Sequence, residues 1–494
     1  MTMRYRCDLA VMGAGLAGFA AAVRAAEQGL SVLVFEKLTD AQHICNSRLT
    51  GGIFHVALHG LVDPPALIAE RIRNATGGTA EPALVDAVSE DALRLVRWLQ
   101  LQGIRFMKSG REPWQDFTLA PPALPQFGRQ WKGRAGDVML LTLEARLGKH
   151  DGRVLRGHRA TRLAMQDGRC TGLEGEAAGG TSFSVDAGAV VVADGGFQAS
   201  HSLLCEHITP QPAHLKQRNA QTGMGDALSM ARAVGACSIG IGHFYGHLLS
   251  RTSLDNDALW PFPWADDLAR SSIVVGSDGH RIADEGIGGV YLANQIAKLP
   301  DPASTFVIFD DATWNGPGRL RAMSANPYMT DAGGKLYSAS TLSELAAISG
   351  LPQHALAAEV ESYNAAIAAN DLARLWPPRS EPKSAAWPIR TGPFHALPIV
   401  PGITYTMGGI RIDGDSRVLD TNGSPIAGLY AAGAATGGLE GGPRSGYVGG
   451  LIKAGVTGLR ASEHIAGKHV AGGHINQSIN TTGDTHGRSR QATV

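Results

Sequence analysis

The sequence predicts an α/β fold: a Rossmann-like domain interrupted by an inserted α+β capping domain. Three observations carry that expectation. The chain opens with an apolar run, a glycine-rich turn, an alanine-rich helix and a second apolar run. A strand closing on glycine returns twice, at Ala189–Phe197 and at Ser424–Gly433. Between these returns, the segment 239–393 has a different texture, with Trp260-Pro261-Phe262-Pro263-Trp264, a helical run near 343–370 and a polar, proline-containing stretch from 374.

Composition narrows the field. Glycine supplies 63 of 494 residues, about 13%, against a usual share of roughly 7%. With no collagen-like period, that excess points to tight turns and to places where backbone approaches a partner closely. Lys+Arg and Asp+Glu both total 44, and a net charge of zero argues against nucleic acid as the main partner. Cys7, Cys45, Cys170, Cys205 and Cys237 are scattered, with no Cys-x-x-Cys pair. No disulfide framework or metal site is expected, and a reducing compartment fits. The apolar stretch Leu9–Ala26 carries Arg24 and several glycines and lacks the frame of a signal peptide, so no membrane span is expected and the protein reads as cytoplasmic.

The elements follow in order. Asp8–Met12 suits a buried parallel strand. It runs into Gly13-Ala14-Gly15-Leu16-Ala17-Gly18 and a helix to about Gly29, and the second apolar run, Ser31–Phe35, ends at Glu36. A glycine triplet alone is weak evidence. Here it follows a strand, opens a helix and has an acid 18 residues beyond Gly18 (36 − 18), the context of a dinucleotide fingerprint. Gly13 permits the turn, Gly15 lets a pyrophosphate reach the helix N-terminus, Gly18 lets helix and strand pack, and Glu36 accepts from the adenosine ribose. Farther on, the strand Ala189–Ala193 leads into Asp194-Gly195-Gly196, and Gly433 closes the last apolar strand before a glycine-rich loop, Gly437–Gly450, and a helix from Leu451 to about Ala466. The domains are expected at 1–238 with 394–466, and at 239–393, followed by a disordered tail from 467.

Seven motifs occur in a familiar order: the opening fingerprint, Asn46–Gly52, Val192–Phe197, Thr222–Ala227, Asp278–Glu285, Thr406–Ile410 and Gly428–Gly433. On them the chain resembles the flavoprotein family of fumarate reductase, succinate dehydrogenase, L-aspartate oxidase, 3-ketosteroid Δ1-dehydrogenase and tricarballylate dehydrogenase, over roughly residues 5–466. The resemblance implies a Rossmann-like FAD-binding domain, an α+β substrate-capping domain and a substrate site between them. It places FAD against Gly13, Ala14, Gly15, Ala17, Gly18, Glu36 and Lys37. Asn46, Ser47, Thr50, Gly51 and Gly52 would line the pyrophosphate and the isoalloxazine edge. Ala160, Asp194, Gly195, Asp226 and Gly433 are implied along the rest of the cofactor, and Gly450, Leu451 and Ile452 would aim a helix N-terminus at the flavin. Two positions depart from the family pattern: Asp194 stands where threonine is usual and Ala434 where an acid is usual. Some relatives attach FAD through a histidine near position 46. Here the stretch is Cys45-Asn46-Ser47, so the cofactor is expected to be non-covalent.

The family's substrate groups carry over unevenly. Its cap histidine matches His247, and its loop arginine matches Arg444. Its second histidine falls on Tyr405, and the proton-donating arginine of the fumarate reductases falls on Gly289. Without that arginine, fumarate reduction by the family's mechanism is not supported. Tyr405, with Tyr447 nearby, points instead to desaturation next to a ketone or carboxylate, as in the ketosteroid enzymes. In that reading Arg444 anchors a carboxylate or polarises the carbonyl and lowers a phenol's pKa, Tyr405 and Tyr447 share the acid/base role, and His247 fixes the carbonyl end. The bland alternatives are a packed aromatic at Tyr405 and a core histidine at His247. The competing functions are the reverse reductase of an unsaturated acid and a catalytically silent flavoprotein subunit. The expected partners are a small ketone or carboxylate and an electron acceptor that the sequence does not identify.

Overall fold

The structure, a computed structural model, describes residues 2–128, 130–380 and 386–467. The tail expected to be disordered lies, from 468 on, outside the described residues.

The first sheet has eight strands, and five form its parallel heart in the order Pro425–Ala431, Thr181–Val192, Met3–Met12, Val32–Glu36 and Arg153–Arg156. The carboxyl-terminal ends of the three central strands, Leu9–Met12, Val190–Val192 and Val34–Glu36, are buried and almost wholly apolar, as parallel strands covered on both faces require. Their register brings the carboxyl ends level. Met12 pairs with both Phe35 and Val192, and Val192 pairs with Ala431. The turns that follow each strand therefore open side by side, where open α/β sheets bind ligands.

Two helices meet at that edge. Leu16–Glu27 is buried along almost its whole length, which suits its run of alanines. It is crossed by the last helix, Gly450–Ile465. At Gly458 a Cβ would stand 2.4 Å from the Ala17 carbonyl oxygen, so the two backbones touch only because no side chain intervenes. Both helices begin with a glycine N-cap and no side-chain cap. Their first N–H groups are left for another partner.

The second sheet is built on one long strand, Phe394–Thr406. It pairs with Phe244–Ser250 and Thr305–Asp310, and shorter strands at 216–217, 273–275 and 337–339 complete the six. This differs from the expected boundary at 394, which put these thirteen residues with the cofactor domain. Nothing in the strand's composition distinguishes one sheet from the other; its hydrogen-bonding partners decide. The Asp278–Glu285 motif has a structural role in this part of the molecule. Glu285 is fully buried, accepts from Arg281 at 2.6 and 3.0 Å and from the Val274 N–H, and lies 3.5 Å from Arg379. Among the described residues no helix is long and apolar enough to cross a membrane.

Candidate active site

The candidate cofactor cradle is assembled at the level strand ends. Gly13 has a φ of +97°, and a Cβ there would lie 2.6 Å from the Ala193 carbonyl, so the first and third turns can touch only at glycine. A Cβ on Gly18 would stand 1.9 Å from the Gly13 oxygen, whereas one on Gly15 would meet only the Ser47 hydroxyl at 3.3 Å. Gly15 therefore faces the open side of the turn. Ser47 Oγ accepts from the Leu16 N–H at 3.0 Å, which ties the Asn46–Leu49 turn to the helix start. Glu36 accepts from the Ala14 and Leu38 N–H groups, so its carboxylate is held rigidly under the turn. Lys37 reaches the Thr222 carbonyl at 2.6 Å and Asp226 at 3.4 Å, and Arg159 pairs with Asp226 at 2.8 Å.

The other residues expected at the cofactor make local contacts of their own. Asn46 bridges the Thr404 carbonyl and the Ala220 N–H, Thr50 accepts from Gly52, and Gly433 donates to Thr457. Ala160 is buried in the neighbouring strand His158–Gln166. Gly51 and Gly195 have open space where a Cβ would stand. Asp194 is half-buried, with one carboxylate oxygen on the Ala227 N–H and the other enclosed without a partner. Burial pushes its pKa up to about 7, against the pull of that N–H and of Lys37. Close backbone approach, two uncapped helix starts and an orphaned polar atom together suit a pyrophosphate-bridged dinucleotide.

Beside the cradle lies a cluster of aromatic rings. Tyr245 and Tyr405 face each other across paired strands, with ring centroids 5.6 Å apart. Tyr447 comes from the loop before the last helix and stacks on Tyr245 at 3.9 Å. The start of that helix touches the cluster: a Cβ on Gly450 would sit 3.1 Å from the Tyr405 ring. His247 lies between Tyr245 and Asp266, with Nε2 3.0 Å from the phenol and Nδ1 2.6 Å from the carboxylate. Trp264 stacks on His247 at 3.7 Å and Phe262 on Trp264 at 5.0 Å, so part of the Trp-Pro-Phe-Pro-Trp segment lines the site. Arg218 stands over the Trp264 ring at 5.3 Å and donates to Thr404, while its Nε has no partner.

Electrostatics separate the three phenols. Tyr405 donates to the buried Glu440 carboxylate at 2.9 and 3.0 Å, and burial together with that charge holds its pKa well above the usual value. The neighbouring groups that act on it most, Glu440, Tyr447 and Tyr245, all raise it, whereas Arg444 was expected to lower it. Burial pushes Tyr245 up to about 12, opposed by Arg218. Burial also raises Tyr447, with Tyr245 and Glu440 adding to it. Glu440 further accepts the N–H groups of Val448 and Gly449 and lies 3.4 Å from Lys453 Nζ. Lys453 itself donates to the carbonyls of Met407 and Thr436.

The structure brings Tyr405, Tyr447 and His247 together but leaves Arg444 outside. Gly441 and Gly446 bond to each other and fold that loop into a hairpin, whose exposed tip carries Arg444 beside Gly77. Five site residues escaped the sequence reading: Tyr245, Asp266, Glu440, Lys453 and Arg218. Only Tyr245 left a signal, since a residue two before His247 on a strand shares its face.

The family described as FAD binding domain matches residues 8–447. The 4-oxocyclohexanecarboxylate 2-dehydrogenase of Sinomonas cyclohexanicum is 29% identical, over 95% of this chain and 94% of its own. The NADH:fumarate oxidoreductase of Klebsiella pneumoniae is 26% identical over 89% of this chain, which spans 45% of that relative. Among solved structures, the 3-ketosteroid delta1-dehydrogenase of Sterolibacterium denitrificans shares the fold with a TM-score of 0.72 at 19% identity, covering 94% of this chain and all of that one.

Proposed function

The chain belongs to the FAD binding domain family and is an FAD-dependent oxidoreductase; on that premise we propose that it desaturates a small cyclic oxo acid next to its ketone. The observation that carries this reading is the meeting of Tyr245, Tyr405 and Tyr447 at the N-terminus of the last helix. A ketone acidifies the neighbouring C–H only when its oxygen is polarised, and phenols do this without introducing a charge. When bound, FAD supplies the acceptor for the β-hydride.

The remaining work falls to this chain's side chains. Tyr447, whose phenol is not committed to a side-chain acceptor among the described residues, donates to the ketone. Tyr405 stays protonated on Glu440 and fixes the wall against which the substrate ring lies. Trp264 and Phe262 exclude water from the reacting carbons. Arg218, over the Trp264 ring, anchors the substrate carboxylate in the role the sequence suggested for Arg444. The curated relative that acts on 4-oxocyclohexanecarboxylate matches nearly end to end and supports that substrate class.

The test is the visible spectrum of the purified protein under anaerobic titration. The oxidised flavin band near about 450 nm should bleach with 4-oxocyclohexanecarboxylate at lower concentration than with cyclohexanone. Arg218→Met should raise the half-bleaching concentration of the oxo acid about 10–100-fold, as loss of a charged hydrogen bond requires, and that of cyclohexanone much less. A flavin that neither ketone bleaches would end this reading.

A further inference from the structure

We propose that Tyr245 is the residue that takes the substrate's α-proton and that His247 and Asp266 form the relay behind it. The proposal rests on the dehydrogenation reading above and names the proton acceptor that reading leaves open.

The three groups are in line. Asp266 is fixed from two sides, by the Leu248 N–H on one oxygen at 2.8 Å and by His247 Nδ1 on the other at 2.6 Å. Trp264 stacks flat on His247, 10° from parallel, and prevents the imidazole from turning. With Nδ1–H donating to a carboxylate, Nε2 is left as an acceptor, and the group within reach is the Tyr245 hydroxyl at 3.0 Å. A carboxylate that orients a histidine, which in turn activates a hydroxyl, is the arrangement that hydrolytic triads use. Here the hydroxyl is a phenol and its target is a C–H.

Neither neighbouring tyrosine has this arrangement. Tyr405 donates to Glu440, and that negative charge opposes any phenolate. Tyr447 makes no hydrogen bond to a side chain among the described residues. The charges that face Tyr245 are Arg218 and Arg321, which favour its ionisation, and Asp266 and Glu440, which oppose it. Those that face His247 are Asp266, which favours the imidazolium, and Arg218 and Arg321, which oppose it. Burial outweighs Asp266 and keeps His247 neutral at rest. The carboxyl of Asp266 lies below its usual range, since His247 and the Leu248 N–H outweigh burial. A neutral imidazole beside an ionised carboxylate is ready to receive a proton.

The step balances. The α-C–H bond breaks, and its proton goes to Tyr245 Oη as the phenol's own proton passes to His247 Nε2. The C–H electron pair forms the enolate of the ketone, which becomes the C=C bond as the β-hydride leaves to the oxidised flavin. The imidazolium, stabilised by Asp266, later returns its proton to solvent.

Two measurements on the full-length holoprotein test the relay. In 15N-histidine NMR, with the His247 signals assigned from His247→Gln, the wild type should show a protonated Nδ1 and an unprotonated, hydrogen-bonded Nε2. Tyr245→Phe should move the Nε2 signal. A protonated Nε2 at rest would overturn the relay. In the second measurement, flavin reduction and α-proton washout into D2O are followed with 4-oxocyclohexanecarboxylate. Tyr245→Phe should slow both by about 10²–10⁴-fold, and Asp266→Asn by about 10–100-fold. Asp266→Asn should also make the rate climb with pH through the alkaline range, where the wild type is level. A Tyr245→Phe rate within about twofold of the wild type, or an unmoved Asp266→Asn profile, would overturn the proposal. If no ketone bleaches the wild type, the dehydrogenation reading fails, and the histidine tautomer still decides the relay.

Discussion

The carboxylate of Asp266 occupies the space that any side chain at Gly289 would need: a Cβ on Gly289 would lie 2.1 Å from Asp266 Cγ. The missing arginine and the Asp266–His247 pair are therefore one structural fact. A residue at 289 and an acid bonded to His247 exclude each other. Gly289→Arg should not produce a fumarate reductase. It should displace Asp266 and lower both stability and ketone-dependent flavin reduction. Gly289→Ala should cost about 1–3 kcal/mol by overpacking, and adding Asp266→Ala should recover stability but not activity. Denaturation midpoints and flavin-reduction rates of the two single variants and the double variant check this.

Glu440 and Lys453 form a buried ion pair beneath the active-site loop, with side chains almost wholly removed from solvent. Glu440→Gln leaves the Lys453 ammonium on two carbonyls without a counter-charge, and it should destabilise the protein by about 3–5 kcal/mol. Lys453→Met should cost less, since Glu440 keeps the Tyr405 hydroxyl and two backbone N–H groups. The double variant should be more stable than Glu440→Gln alone. A double-mutant cycle by urea denaturation measures the coupling, and additive costs would contradict it.

The fingerprint glycines should separate folding from cofactor binding. Gly18→Ala places a methyl 1.9 Å from a backbone oxygen that cannot move aside, so it should yield little folded protein. Gly15→Ala meets only a hydroxyl at 3.3 Å. It should therefore keep the melting temperature of the apoprotein while losing affinity for FAD, because the methyl stands where the pyrophosphate approaches. Thermal melts of the apoproteins and flavin retention on gel filtration distinguish the two effects. Equal loss of fold in both variants would contradict this.

The opening strand–turn–helix–strand unit was legible in the sequence because its signals are local. Gly13, Gly15, Gly18 and Glu36 sit at spacings fixed by one strand–helix–strand unit, and the returning strand-then-glycine pattern marked the other edges of the cradle. Tyr405 and Tyr447 could be found because they flank glycine-rich motifs. Asp266 could not, because a six-residue helix and a strand bring it to His247 and no spacing rule links them. Arg444 was misleading for the same reason. Its residue type and loop are visible in sequence, but the Gly441–Gly446 hairpin that turns it toward Gly77 is a tertiary choice. The strand Phe394–Thr406 was expected with the cofactor domain, and its pairing with Phe244–Ser250 and Thr305–Asp310 was not legible because β pairing is non-local.

Asp194 should make the apoprotein's stability depend on pH. It ends the turn after the strand Thr181–Val192, with one oxygen on the Ala227 N–H and the other unpaired. Burial raises its pKa from an ordinary 3.8 to about 7, with Asp226 adding to the shift and Lys37 opposing it. Below about pH 4 the carboxyl is protonated in both the folded and the unfolded chain, and the site costs nothing. Between about pH 4 and 7 the unfolded chain releases the proton while the folded chain keeps it, so stability falls as pH rises. Above about 7 the loss is complete. Asp194→Asn has no proton to release, and its advantage over the wild type should grow across that window to on the order of 3 kcal/mol at pH 8. Urea denaturation of both apoproteins at pH 4.5, 6 and 8 (values spanning the window) reads the difference. An advantage of the same size at every pH would mean that the unpaired oxygen, rather than the ionised charge, is what the fold finds costly.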